Sequence, residues 1–179
     1  MSVHEIVLPE TKPETEWVAG RALQKMSPTR DHSRLQMKLG AALDAWSRGK
    51  GEVGPEWRFR VAPPGGVRRP LVPDLAFVRY ERLRGLDRES IQTPALAPDV
   101  AVEILSPGDR RRDVDDKIAV YLAAGTSLVI IADPGSHTIE LNDASGRTLL
   151  DTDGVLEHVA LPGFRLDVAS LFAELDLPR

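Results

Sequence analysis

The sequence has no cysteine among its 179 residues, which excludes disulfides and thiolate metal sites. That fits a reducing compartment, and the expected localisation is cytoplasmic. No apolar run approaches the roughly 20 residues of a membrane-spanning helix, so no membrane partner is expected. Met1 to Thr15 is polar and acidic and lacks the apolar core of a secretory leader. It is expected to be a flexible arm or a short lead-in helix. Internal repeats and low-complexity segments are absent. Positive charge is not in excess either: 23 Lys and Arg stand against 27 Asp and Glu, for a formal net charge of −4. Non-specific coating of nucleic acid depends on neutralising phosphates, and this balance argues mildly against it.

What is present fits one soluble globular domain over residues 16–179, long enough to bury a core without staples. Glu16 to Met26 reads as two short strands turning at Gly20. Ser27 or Thr29 caps a long helix whose apolar stripe is Leu35, Leu39, Ala42, Leu43 and Trp46, ending near Gly49-Lys50-Gly51. Val53 to Ala62 and Leu71 to Val78 read as strands, and Tyr80 to Ser90 as a short exposed helix or a loop. Val100 to Leu105 is a continuous apolar strand, as expected when both faces are covered. Arg110 to Ala124 is a helix stopped by Gly125, and Thr126 to Ala132 is another buried strand. Strand, helix, strand in this order predicts a βαβ crossover with parallel pairing. His137 to Leu141, Arg147 to Leu150 and Val155 to Leu161 read as a meander, followed by a short terminal helix over Val168 to Leu175.

Three positions carry the chemistry. Glu103 lies among Val100, Ala101, Val102, Ile104 and Leu105, where an ionised carboxylate is costly unless it is paired or binds a metal. Asp74 stands in a second Pro-Asp-apolar run, Pro73 to Val78. Lys117 follows Asp113 by one helical turn. Magnesium needs only one or two protein carboxylates, and a lysine beside them can orient a water and offset developing charge. Each residue also has a plainer explanation. Asp74 can be a turn-former, Glu103 half of a buried ion pair with Lys117 or an arginine, and Asp113–Lys117 a surface pair worth about 0.2–0.5 kcal/mol. The arginines between Arg58 and Arg88, and the knot Arg110 to Arg112, form a locally basic surface suited to a polyanion, or a set of solvated side chains.

The order and spacing of these residues resemble the Uma2-like (DUF820) family of the PD-(D/E)XK nuclease superfamily. The resemblance runs from Glu16 to Phe172. It begins with Glu16, Gly20 and Met26-Ser27-Pro28, then His32 at the head of the long helix and Pro73-Asp74. Its most specific block holds Pro98-Asp99, Glu103 and Ser106-Pro107, then Arg111-Arg112-Asp113 and Lys117. Tyr121, Gly125 and Asp133-Pro134 follow. The resemblance implies an α/β fold with a restriction-endonuclease-like core, a mixed central sheet flanked by helices and extra antiparallel strands. It also implies a metal-dependent endonuclease hydrolysing DNA phosphodiester bonds. Asp74 and Glu103 would hold Mg2+, with Mn2+ as substitute. Lys117 would be the catalytic lysine, displaced to the helix because Leu105 fills its usual place.

Glu16 and Gln36 are auxiliary candidates, and Arg68, Arg69, Arg110, Arg111 and Arg112 are candidates for DNA contact. His32 is taken as a helix-start or packing residue. The family's acid and aromatics after the crossover helix are missing from Gly125 to Ile131, which leaves the three central residues untouched. A homodimer is expected if both strands of a duplex are cut. The alternatives are a non-catalytic nucleic-acid-binding or regulatory module that keeps a nuclease fold, and a hydrolase of another phosphoester.

Overall fold

A computed structural model of the chain describes residues 4–176. In chain order the strands are β1 (Thr15–Val18), β2 (Arg21–Gln24), β3 (Gly51–Pro55), β4 (Phe59–Val61), β5 (Arg69–Leu71), β6 (Leu75–Arg79), β7 (Val100–Ile104), β8 (Leu128–Asp133), β9 (Thr138–Asp143), β10 (Gly146–Leu150), β11 (Val155–Leu156) and β12 (Leu166–Asp167). The helices are α1 (Arg30–Ser47), α2 (Tyr80–Leu83), α3 (Arg88–Gln92), α4 (Arg111–Ala123) and α5 (Val168–Phe172), and a 3-10 turn follows at Ala173–Leu175.

A six-stranded sheet in the order β10-β9-β8-β7-β6-β3 forms the middle layer. Only β7 and β8 pair in parallel, with α4 as the crossover between them, as the sequence pattern predicts. The other neighbours are antiparallel, so the sheet is mixed. Alternation along the central strands divides the core in two. Leu75, Phe77, Val100, Val102, Ile104, Leu128 and Ile130 face Leu35, Leu39 and Leu43 of α1 and Leu171 of α5. Ala76, Val78, Ala101, Val129 and Ile131 face Val114, Ile118 and Tyr121 of α4. Helices thus cover both faces, and β7 is buried along its whole length.

Thr29 caps α1, its hydroxyl accepting from the His32 amide. Gly125, at φ +98°, follows α4 and donates to Leu122 O, ending the helix in the left-handed conformation that suits glycine.

Prolines account for two departures from the expected elements. Val53 to Ala62 is two strands, because Pro55 ends β3 and Glu56 turns the chain at φ +50°. Leu71 to Val78 is also two, since Pro73 lacks the amide a continuous ladder needs. Tyr80 to Ser90 holds α2 and the start of α3, and β11 pairs with β12 outside the meander. Residues 4–6 run beside Arg68: Glu5 bridges to it, Ile6 donates to its carbonyl and its amide donates to His4 O. Met1, Ser2 and Val3 of the expected arm lie outside the described residues. No described helix is long and apolar enough to cross a membrane.

Candidate active site

The site lies on the α4 face of the sheet, where β6 begins and β7 ends. Leu75 pairs with Val102 and Ala76 with Ala101. One step beyond this ladder sets Asp74 opposite Glu103, and residues opposed in an antiparallel pair share a face. Pro73 ends the pairing before Asp74, so the acid stands at the mouth of the strand rather than inside the ladder.

Four ionisable side chains meet there and are nearly closed to solvent: Glu16 at 1%, Asp74 at 2%, Glu103 at 6% and Lys117 at 9% exposure. The Lys117 ammonium lies 2.5 Å from Glu16 Oε2 and 2.9 Å from Glu103 Oε2. Tyr121 donates to the other Glu103 oxygen at 3.3 Å. The second oxygen of Glu16 accepts the Val72 amide at 2.7 Å. Asp74 Oδ2 accepts the Ile104 amide at 2.6 Å and lies 3.2 Å from His32 Nε2. Its Oδ1 accepts from Lys25 at 2.5 Å.

These surroundings set the charges. Burial pushes the Glu103 carboxyl up to about 7; the nearby Glu16 and Asp74 push the same way, while Lys117 and Lys25 oppose. Burial works against the Lys117 ammonium, but Glu103 and Glu16 outweigh it and hold this lysine above its ordinary value. Lys117 is therefore a standing cation at neutral pH, a donor and not a base. Asp74 goes the other way from Glu103. Burial alone would raise it, yet Lys25 and His32 hold it below the usual carboxylate range.

A group whose pKa is lowered by folding contributes stability that is present above its unfolded value and fades as the pH falls below it. Asp74→Asn is therefore expected to show a flatter stability profile than the native chain from pH 4 down to pH 2. Urea melts across that range check this.

The cluster forms the floor of a cleft of about 340 Å³. One wall is the β1–β2 hairpin with the residues after it, presenting Arg21, Leu23, Lys25 and Met26. The other is the Ser106–Arg110 turn and the first turns of α4. An ion pair between Arg21 and Asp113 joins the two walls. Asp113 is thus committed to Arg21, and Lys117 to Glu16 and Glu103, in place of the i, i+4 surface pair that helical spacing allows.

Of the residues singled out in the sequence, Asp74, Glu103, Lys117, Glu16 and Arg110 all line this cleft. Gln36 sits behind it, donating to the Asp74 carbonyl and to Glu56. Arg111 is turned to the sheet, where it forms a two-bond pair with Glu140 and also holds Asp115. Arg68 and Arg69 belong to the β5 region near the N-terminal segment, not to the cleft lining. Asp99 is held by the Arg79 amide and the Arg79 and Arg82 side chains at the far end of β7. Of the two Pro-Asp pairs, only Pro73-Asp74 therefore serves the cleft.

Two residues acquire roles that sequence reasoning missed. His32 does start α1, as expected, but its ring reaches Asp74. The α1 stripe that buries Leu35 and Leu39 ends, one turn earlier, over the cleft. Lys25 is the second lysine of the site. Lys25 directly follows β2, and the two-residue period of that strand, carried one step past its end, puts Lys25 with Arg21 and Leu23 on the cleft side.

The donor set suits a hard cation. Asp74 and Glu103 offer oxygens only, from directly opposed positions, and each already faces an ammonium group. Among the described residues no group of three or more His, Cys, Asp or Glu gathers so as to hold a metal. A pair of carboxylates is nevertheless what magnesium, which keeps much of its water, takes from a protein.

A family model for Uma2, described as "Putative restriction endonuclease", matches residues 4–169. The chain belongs to the Uma2 family. A 1.96 Å crystal structure from Anabaena variabilis ATCC 29413, described as "a putative nuclease belonging to DUF820", matches it with a TM-score of 0.84. The two chains are 24% identical, and the match covers 94% of each. That likeness shows the fold, a restriction-endonuclease-like α/β core. No curated protein matches the chain. In this Uma2 chain Leu105 lines the same cleft as Lys117. A lysine on α4 and an acid on β7 thus reach one point from neighbouring elements.

Proposed function

We propose that this Uma2 protein is a divalent-metal-dependent endonuclease that hydrolyses DNA phosphodiester bonds in the cleft above Asp74, Glu103 and Lys117. The observation that carries this reading is the facing of Asp74 and Glu103 across β6 and β7, with the protonated Lys117 beside them. Asp74 and Glu103 would hold Mg2+, or Mn2+ in its place, and the ion would supply charge to the scissile phosphate and acidify a bound water.

The chain's own side chains supply the rest. Two of the three Lys117 ammonium protons are committed to Glu16 and Glu103. The third is left to donate to a phosphate oxygen as negative charge grows there, a contribution only a fixed cation can make. Glu16 fixes that lysine, because its second oxygen is itself held by the Val72 amide. Tyr121 and the Ile104 amide fix Glu103 and Asp74 in the same way. As the water oxygen bonds to phosphorus, the bond to the leaving sugar oxygen breaks; the attacking water gives up a proton to solvent water, and the leaving oxygen takes one from solvent water to become a hydroxyl. Arg110 and Arg21 at the walls are suited to backbone phosphates on either side. Cutting both strands of a duplex calls for two such clefts, hence a pair of chains.

Incubation of supercoiled plasmid with the purified protein tests this reading. Nicked circles are expected with Mg2+ or Mn2+, none with chelator, and at least a hundredfold less with Asp74→Asn. Nicking by Asp74→Asn at the native rate would overturn the assignment.

A further inference from the structure

Lys25 has no part in the reaction just described, yet it is the most tightly committed cation of the site. Its ammonium donates to Asp74 Oδ1 at 2.5 Å and to the Val72 carbonyl at 2.9 Å, and it lies 3.2 Å from Glu56 Oε2. All three of its protons are used, whereas Lys117 commits two. Its side chain is only 12% exposed, so protein oxygens rather than water supply most of its shell. Both remaining contacts of Asp74, the Ile104 amide and His32, fall on Oδ2. Oδ1 is therefore the oxygen with which Asp74 would ligate, and Lys25 occupies it.

We propose that Lys25 is a positioning residue acting as a built-in counter-ion: it competes with the divalent ion for Asp74 Oδ1 and so sets the metal affinity of the cleft. This rests on the reading of Asp74 and Glu103 as the metal pair. A carboxylate oxygen bound to an ammonium at 2.5 Å cannot give the same lone pair to a metal, and two cations crowded onto one carboxylate repel each other. The ion must therefore displace Lys25, which then has only the Val72 carbonyl and Glu56 to return to. Without the ion, Lys25 keeps a buried carboxylate neutralised, which the fold requires. The cleft is thus stable empty and fills only when enough divalent ion is present to outbid the lysine.

Calorimetric titration of Mn2+ into the full chain and its variants tests this without any turnover. Lys25→Met keeps the length and apolar stem and removes the charge; it is expected to bind Mn2+ at least tenfold more tightly than the native protein. Lys25→Arg keeps the charge and is expected to stay within about twofold of native. Thermal melts establish that each variant is folded, and Lys25→Gln substitutes for Lys25→Met if the latter is not. A purely structural lysine would change the melting temperature and leave Mn2+ affinity alone.

If the native protein binds Mn2+ in an Asp74-dependent way and Lys25→Met binds no more tightly, the counter-ion role is overturned while the metal pair stands. If no form binds, or Asp74→Asn binds as the native chain does, both are overturned.

Discussion

Replacing Lys117 with methionine is expected to slow DNA nicking by about 10²–10³-fold, the usual cost of losing one fixed donor to developing charge. It should also weaken the fold. Lys117 is the shared partner of Glu16 and Glu103, both buried, at 2.5 and 2.9 Å. Taking one member from a buried ion cluster leaves uncompensated charge and costs on the order of 3–5 kcal/mol, a large share of a typical domain's stability. Lys117→Arg separates the two effects. It restores positive charge, and with it much of the stability, but its planar fork does not place a donor where the compact ammonium did. The rate should therefore stay low. Urea melts and plasmid nicking on the two variants check both halves. A Lys117→Met protein that is as stable and as active as the native chain would remove Lys117 from the account.

Glu103→Gln is expected to become progressively more stable than the native chain as the pH rises. The native carboxyl has an ordinary value of 4.5 and is pushed up to about 7 in the fold, chiefly by burial. Folding thus favours its protonated form. The stability this contributes is fully present below pH 4.5 and is lost as the pH rises through 7. The gap between 4.5 and about 7 corresponds to about 3 kcal/mol. Glutamine imitates the protonated acid at every pH, so it escapes that loss. The stability of the variant minus that of the native protein should grow by about 3 kcal/mol between pH 4 and pH 8, whatever its starting value. Nicking should disappear over the same range, since the amide is a poor ligand for a hard cation. Denaturant melts at four or five pH values measure the difference, and a flat difference would mean that Glu103 is not strained by its setting. A site that costs the fold stability at the pH where it works is the pattern expected of chemistry rather than of architecture.

Much of this was legible in the chain itself. The unbroken apolar runs at Val100–Leu105 and Thr126–Ala132 with a helical stripe between them carry the parallel crossover. An acid inside the first run must be paired or bind a metal, and the pairing partner named for Glu103, Lys117, is the one it meets. Asp74 was readable from its place in a second Pro-Asp-apolar run and from the family resemblance, whereas Pro73 by itself suggested only a turn.

What escaped depended on how separate elements meet. His32 sits on an apolar stripe and reads as packing; only the packing of α1 beside β6 brings the ring in its first turn to Asp74. Lys25 lies just past a short exposed strand whose composition resembles any amphipathic hairpin, and nothing local says that its ammonium reaches Asp74 and the Val72 carbonyl. Arg111 looked like part of a basic knot, yet helix geometry separates it from Arg110 and delivers it to Glu140. Spacing along a helix also favoured an Asp113–Lys117 pair, and two longer-range partners, Arg21 and Glu16, took those groups instead.

The central claim is that Asp74 and Glu103 hold one divalent ion between them. Anomalous diffraction from crystals of the native protein soaked in Mn2+ tests it most directly. The account predicts a single strong peak within coordination distance of both carboxylates, with the Lys25 ammonium moved off Asp74 Oδ1. A peak elsewhere, or a cleft in which Lys25 and Lys117 keep both acids at saturating Mn2+, would contradict it.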